Sequence, residues 1–330
     1  MVQKRNDGLA AEGFLMARNT VQFQKGFSEA AFRAMYGTEE LCRQAVVEMR
    51  WPNGFTCPAC GGRHYALIKT RHLFQCRGCR HQASLTAGTI FHSSKLPLTQ
   101  WFATMYHLTQ SKTGTSTLEL ARRLGVTPNT AWKLKHKLLQ VMLEREEDKP
   151  LSGRVEMDDA YLGGERSGGK RGRGAPGKTP FIAAVETTDQ GKPVRIKLRR
   201  VKGFRRKEVE KFAKKSLTPG SSVVSDGLDC FTSVTKAGCS HQPIVTGSGR
   251  AAAQHSAFKW VNTVLGNVKS AITGTYRAIR AKHIPRYLAE YTYRFNRRYD
   301  LTTMIDRLLW VSLRTPPMPY RLLKLAEDYA

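Results

Sequence analysis

Three observations along the sequence predict a multidomain chain that combines α+β and α/β parts. Two Cys-x-x-Cys pairs stand close together, a helix–glycine–helix pattern follows them, and short apolar strand-like runs then alternate with helical ones. The first predicts a small ribbon folded around a metal, and the second a helix-turn-helix. The third predicts a mixed α/β domain with a central sheet.

The chain has 330 residues, which suits two or three domains. Its formal net charge of +28 demands a polyanionic partner, because a protein this basic repels itself. A membrane-surface protein would gather that charge on one amphipathic helix, whereas here it is spread along the whole chain. Nucleic acid is therefore the expected partner. The sequence shows neither an apolar run of about 18 residues nor an apolar signal core, so a reducing, cytoplasmic compartment is expected. Seven cysteines in such a compartment point to metal ligands or free thiols rather than disulfides. Cys42, Cys230 and Cys239 lie apart from the paired motifs and read as small buried hydrophobes.

Residues 1–35 have weak periodicity and read as an N-terminal arm, loosely ordered over 1–30. Residues 36–95 form the ribbon region. It opens with a short helix over 38–50, with acids in its first turn and Leu41, Ala45 and Met49 at every fourth position. Cys57 and Cys60 then pair with Cys76 and Cys79, the spacing of a four-thiolate structural Zn²⁺ site with no open position for chemistry. So small a module cannot fold on apolar burial alone. His64, His72 and His81 are expected to be solvated or to face phosphate.

Residues 96–143 read as the helix-turn-helix region. A helix over 98–110 precedes a second over 116–124, Gly125 turns the chain, and Thr127 caps a third that has Pro128 at its first position. In a major groove this last helix would set Asn129, Thr130 and Lys133 near base edges, and Lys135 and Lys137 near phosphates. An ordinary basic helical hairpin is the plainer alternative. Residues 144–152 are charged, end near Pro150 and read as a linker.

The region 153–300 carries the candidate chemistry. Its glycine-rich basic stretch over 163–178 reads as a loop along a phosphate backbone, through Lys170, Arg171 and Arg173. Asp158 is expected to end one apolar strand, and Asp226 another. Carboxylates so placed can share divalent ions, Mg²⁺ or Mn²⁺. A helix follows with a stripe of Val261, Val264, Leu265, Val268 and Ile272. Asn262 and Lys269 share one flank of that stripe and Asn267 does not. Asn262 is therefore the expected third oxygen ligand, and Lys269 the group that grips phosphate. His255 either orients the site or is a plain surface histidine. A helix over 284–298 places Arg294, Arg297 and Arg298 where they reach DNA, and 301–330 reads as a helical tail.

Several of these pieces, in this order, resemble the insertion-sequence transposases that join an N-terminal zinc ribbon to an RNase H-like DDE domain (the ISXO type). The matching residues are Cys57, Cys60, Cys76 and Cys79; Ala87-Gly88-Thr89-Ile90-Phe91; Val155-Glu156-Met157-Asp158 with Tyr161-Leu162-Gly163-Gly164; Ser225-Asp226-Gly227; and Asn262 with Lys269. The segment from Tyr287 to Arg298 is similar to that family's closing stretch. The resemblance implies an RNase H-like mixed-sheet domain and a triad of Asp158, Asp226 and Asn262. It also implies cleavage of double-stranded DNA at terminal inverted repeats, and joining of the freed 3′ ends to target DNA. A homo-oligomer on the bacterial nucleoid is the expected working form. Asn262 stands where most DDE enzymes have Glu, which removes one negative charge and weakens the hold on the second metal. The alternative is a DNA-binding regulator whose RNase H-like domain no longer cuts.

Overall fold

Ser28 and Thr38 each lend a side-chain oxygen to a backbone N–H of the turn that follows, and so start α1 (Glu29–Tyr36) and α2 (Glu39–Arg50). The computed structural model describes residues 26–163, 177–245 and 255–326. Lys170, Arg171 and Arg173 fall outside the described residues. Although α1 begins in the stretch expected to be loose, it buries Phe32 and Tyr36.

The ribbon is a three-stranded antiparallel sheet of β1 (Tyr65–Ile68), β2 (Leu73–Cys76) and β3 (Gln82–Ser84). Its small core is aromatic: the rings of Phe55 and Phe74 stack at 5.7 Å, and Trp51 stands edge-on to both. Cys42, Cys230 and Cys239 are all buried, as their isolation in the sequence predicts.

Helix α3 spans Leu98–Gln110, α4 spans Thr117–Leu124, and α5 spans Pro128–Glu147. Gly125 turns α4 into α5 at φ 65°, a left-handed conformation that favours glycine, and Leu120, Ala121 and Ala131 seal the angle. Helix α5 continues well past the expected domain end and corrects the reading of 144–152 as a linker. Glu146 is buried, with its carboxylate taking Nη1 of Arg297 and Nδ2 of Asn296. Leu151 is fully buried and bonded through its backbone to Ser216 and Thr218. Of the charges in this stretch Glu146 alone is buried, in an internal ion pair with Arg297, while Glu144, Glu147, Asp148 and Lys149 are exposed.

The second half is built on a five-stranded sheet of β4 (Arg154–Leu162), β5 (Thr179–Thr187), β6 (Pro193–Arg200), β7 (Ser222–Ser225) and β8 (Ser240–Pro243). The order is β6-β5-β4-β7-β8, with β6, β5 and β4 antiparallel and β7 and β8 parallel to β4. This is a mixed sheet, as the resemblance implies. On one face Val155, Met157, Ile182 and Val223 pack against α6 (Arg206–Ser216). On the other, Ala160, Phe181, Ala183 and Val224 pack against α7 (Lys259–Thr275) and α8 (Ile284–Asn296).

The chain then returns through α9 (Met304–Ser312) and α10 (Tyr320–Leu325). Ile305, Leu308 and Leu309 of α9 join the same core as Phe32, Phe74, Phe102, Leu138 and Tyr293. Ribbon, helix-turn-helix and C-terminal segment thus share one interior, so the tail is part of the N-terminal core. Among the described residues no helix is long and apolar enough to cross a membrane.

Candidate functional site: a zinc ribbon and a carboxylate cluster

The four ribbon thiols converge. Cys57 Sγ lies 3.6 Å from Cys79 Sγ, Cys60 Sγ lies 3.6 Å from Cys76 Sγ, and all four sulfurs fall within 4.8 Å of one another. Four sulfurs at about 2.3 Å from a common centre would sit at such separations, so the set fits a tetrahedral zinc ion. Backbone N–H groups of Cys79 and Gly78 help pull the Cys76 thiol down to about 7, whereas the Cys79, Cys76 and Cys57 side chains, against the lowering N–H of Gly62, hold Cys60 up to about 12.

The carboxylate cluster is set by strand register. β4 runs parallel to β7 with Met157 opposite Ser225, so the next residues, Asp158 and Asp226, come side by side on the face covered by α7. Asp158 does not end its strand: it pairs with Ala183 in the middle of a nine-residue strand. Asp226 does leave β7, and its Oδ1 accepts the N–H of Leu228 at 3.2 Å, closing the turn. The sequence reading missed Asp159, whose carboxylate joins the other two with ligand oxygens all within 4.8 Å. The doublet Asp158-Asp159 was the available signal, hidden by the expectation that alternate strand residues face apart.

Burial, then the charges of Asp159 and Asp226, push the Asp158 carboxyl up to about 7. The Asp159 N–H, which donates to Asp158 Oδ1 at 2.8 Å, and the charge of Lys269 oppose that rise. Lys269 is exposed on α7 and near enough to act on Asp158. Carboxylates gathered this closely favour a cation in their midst.

Helix α7 is held over the cluster by Glu156, also overlooked. Two residues before Asp158 on the same strand face, its buried Oε2 accepts the N–H of Trp260 at 2.9 Å and of Val261 at 3.0 Å. Arg154 braces it, donating to Glu156 Oε1 at 3.0 Å, Thr187 Oγ1 at 3.1 Å and the carbonyl of Ala257 at 3.3 Å. Val261, Val264, Leu265, Val268 and Ile272 form the buried stripe of α7. Asn262 follows directly after the anchored turn and is half-buried, whereas Asn267 is exposed and its side chain meets the Tyr291 hydroxyl. His255 is exposed, with Nδ1 accepting the N–H of Ala257 at the start of a short helical turn. His241, another residue the sequence did not flag, shares a 2.9 Å hydrogen bond with Ser225 beside Asp226.

With this geometry in place, two family models match the chain. Residues 37–82 match the transposase zinc-ribbon domain, and residues 150–296 match the ISXO2-like transposase domain. Over these two segments the chain is similar to the ISXO2-like transposases. A curated protein of Halobacterium salinarum, described as an uncharacterized protein in transposable element ISH50, is 28% identical over 148 residues. That match covers 42% of this chain and 48% of the relative, so the chain spans about half the length of the curated relative it matches.

On the helix-turn-helix of this chain the described residues divide. Asn129 is exposed, and Thr130 and Lys133 are half-buried on the first turns of α5, with Lys133 Nζ over the Tyr320 ring at 4.8 Å. Lys135 corrects the phosphate-facing reading. It is wholly buried, its Nζ donating to the carbonyl of Thr115 and the hydroxyl of Tyr276 beside Glu290, and burial pulls it down to about 8. Lys137 is half-buried, and its Nζ donates to the carbonyl of Ile90 at 3.2 Å. Beyond its first turns α5 is a core helix, so basic residues there meet carbonyls and aromatic rings. The same correction applies in and after α8. Arg294 bonds Glu290, Arg297 bonds Glu146, and Arg298 bonds the carbonyls of Pro193 and Val194.

Proposed function

We propose that this chain binds the terminal inverted repeats of an insertion sequence, cleaves their 3′ ends and joins them to target DNA. The observation that carries the reading is the meeting of Asp158, Asp159 and Asp226 beneath a helix that bears Asn262 and Lys269, within a transposase domain. Asp158, Asp226 and the Asn262 amide oxygen are hard ligands suited to Mg²⁺ or Mn²⁺, with Asp159 as an added carboxylate. Divalent ions held there would activate the attacking oxygen and stabilise the leaving one. A divalent ion there would favour the Asp158 carboxylate, offsetting the burial and the neighbouring acids that raise it. Lys269, exposed beside Asp158, holds the phosphate of the strand to be cut.

The ribbon and the first turns of α5, through Asn129, Thr130 and Lys133, grip the repeat, with Lys170, Arg171 and Arg173 following the backbone. A homo-oligomer acting on the nucleoid in the cytoplasm completes the reading, since joining two ends requires two sites. The test is cleavage and strand transfer on DNA carrying the element ends, with Mg²⁺ or Mn²⁺. Asp158→Ala and Asp226→Ala abolish both reactions and leave DNA affinity within about two-fold, as expected where binding rests on phosphate contacts elsewhere. Cutting by either variant overturns the assignment. Wild-type protein that binds cognate ends but never cuts them would instead be the DNA-binding regulator.

A further inference from the structure

A pocket of about 300 Å³ opens where the first two turns of α5 meet the segment 278–283 and α10. None of the residues assigned to catalysis lines it. We propose that it is a nucleobase site, taking one unpaired base of the bound DNA while its basic rim holds the adjoining phosphate. This rests on the reading of the chain as a DNA-acting protein.

The walls are aromatic. Trp132 and His136 stack with centroids 4.0 Å apart at 24°, and His283 and Tyr320 stand steeply against Trp132 at 5.7 and 6.0 Å. Burial holds His136 down to about 2 and His283 down to about 4, so both rings are neutral near pH 7 and offer π faces rather than charge. The rim is cationic: Arg280 and Lys324 are exposed, and half-buried Lys282 donates to the carbonyl of Lys324. No carboxylate lines the pocket, which disfavours a cationic ligand. Flat faces with a positive rim suit a planar ring tethered to phosphate, the combination that single-stranded DNA presents.

Two polar groups are placed for the edge of such a ring. The first is His283 Nδ1, buried and without a hydrogen-bond partner in a side chain only 8% exposed. An unsatisfied buried ring nitrogen carries a desolvation cost that a ligand would relieve. The second is the exposed amide of Asn129, on the turn of α5 that faces DNA in the reading above. A paired base stays inside the stack, so a pocket set back from the groove receives one only when it is extruded or lies at a frayed end. Continuity with α5 favours DNA over a free nucleotide.

The experiment uses the full zinc-loaded chain. It compares a short single strand carrying one 2-aminopurine with its fully paired duplex, by anisotropy and by 2-aminopurine emission. Wild-type protein quenches the base in the single strand. Tyr320→Ala, which removes an exposed ring, restores emission and weakens single-strand binding by about ten-fold, within the range for a lost stacking partner, with duplex affinity unchanged. His283→Phe keeps a ring but loses the nitrogen, and weakens the single strand by a smaller factor. Unquenched base, or equal weakening of both DNA forms in Tyr320→Ala, overturns the proposal. So does deoxyadenosine monophosphate binding as tightly as the strand, which would assign the pocket to a free nucleotide. Duplex binding without base capture sinks this inference alone, whereas no DNA binding of any kind sinks the functional reading with it.

Discussion

Glu156 accepts the backbone N–H of Val261 at 3.0 Å, so a carboxylate of β4 closes the first turn of α7. It takes the N–H of Trp260 as well, where helix-end donors and the helix dipole both favour negative charge. Asp158 lies two residues further along that strand face and Asn262 one residue further along that helix. The anchor therefore fixes the strand ligand relative to the helix ligand.

Removing the anchor tests it. Glu156→Ala leaves two helix N–H groups without their acceptor and the Arg154 guanidinium without its carboxylate partner, at a cost of about 3 kcal/mol. Glu156→Gln keeps an acceptor oxygen but not the charge, and falls between that variant and wild type. Urea unfolding followed by circular dichroism measures both. A Glu156→Ala protein as stable as wild type would show that apolar packing alone holds α7 in place.

The ribbon predicts a second outcome. Its aromatic core of Trp51, Phe55 and Phe74 is too small to hold the fold without the thiolates. A strong chelator, or Cys57→Ser, therefore unfolds this region and abolishes its near-ultraviolet aromatic signal, while far-ultraviolet helix content falls only slightly. Elemental analysis finds about one zinc per chain before chelation. An aromatic signal unaffected by zinc removal would show that the core stands on its own.

What the sequence disclosed followed chemistry that is local. Doubled cysteine spacing, Thr127 and Pro128 at a helix start, and the apolar stripe of α7 all depend on neighbours within a few turns, and all appear where expected. What it concealed depends on partners far away in the chain. Lys135 looks like a phosphate contact until Glu290, 155 residues on, is seen beside it. Glu146 looks like part of a solvated linker until Arg297 closes on it. Asp159 escaped notice because side-chain alternation sends it away from Asp158 in an ideal strand, whereas here its carboxylate reaches the same cluster.

Lys135 supplies the third prediction. Its ammonium is wholly buried, bonded to the Tyr276 hydroxyl and 3.7 Å from Glu290, which also holds Arg294. Lys135→Ala opens a cavity and leaves Glu290 with one cation fewer, destabilising the chain by about 3–5 kcal/mol. DNA affinity per folded molecule stays within about two-fold of wild type, because a lysine with no route to solvent releases no counterions. The slope of DNA affinity against salt is the decisive measurement. A slope lower by about one unit in the variant would restore Lys135 to the phosphate-facing set.

The two histidines that line the aromatic pocket set the acid limit. Burial is the largest influence on each, followed for His136 by His283, Arg286 and Lys135, and for His283 by Arg286, Lys282 and Arg280. Every one of those neighbours opposes a further positive charge. Unfolded, both imidazoles titrate near 6.5; folded, they hold out to about 2 and about 4. Between those limits the unfolded chain binds protons that the folded chain refuses, so stability is fully present above about 6.5 and is lost as the pH falls. The His283 share stops growing below about 4, while the His136 share continues to grow. Melting temperature should therefore drop steadily from pH 7 toward pH 4.5, and His136→Gln, which removes one titrating ring, should flatten that drop relative to its own value at pH 7. A variant whose melting temperature falls as steeply as the wild type's would locate the acid sensitivity in other groups.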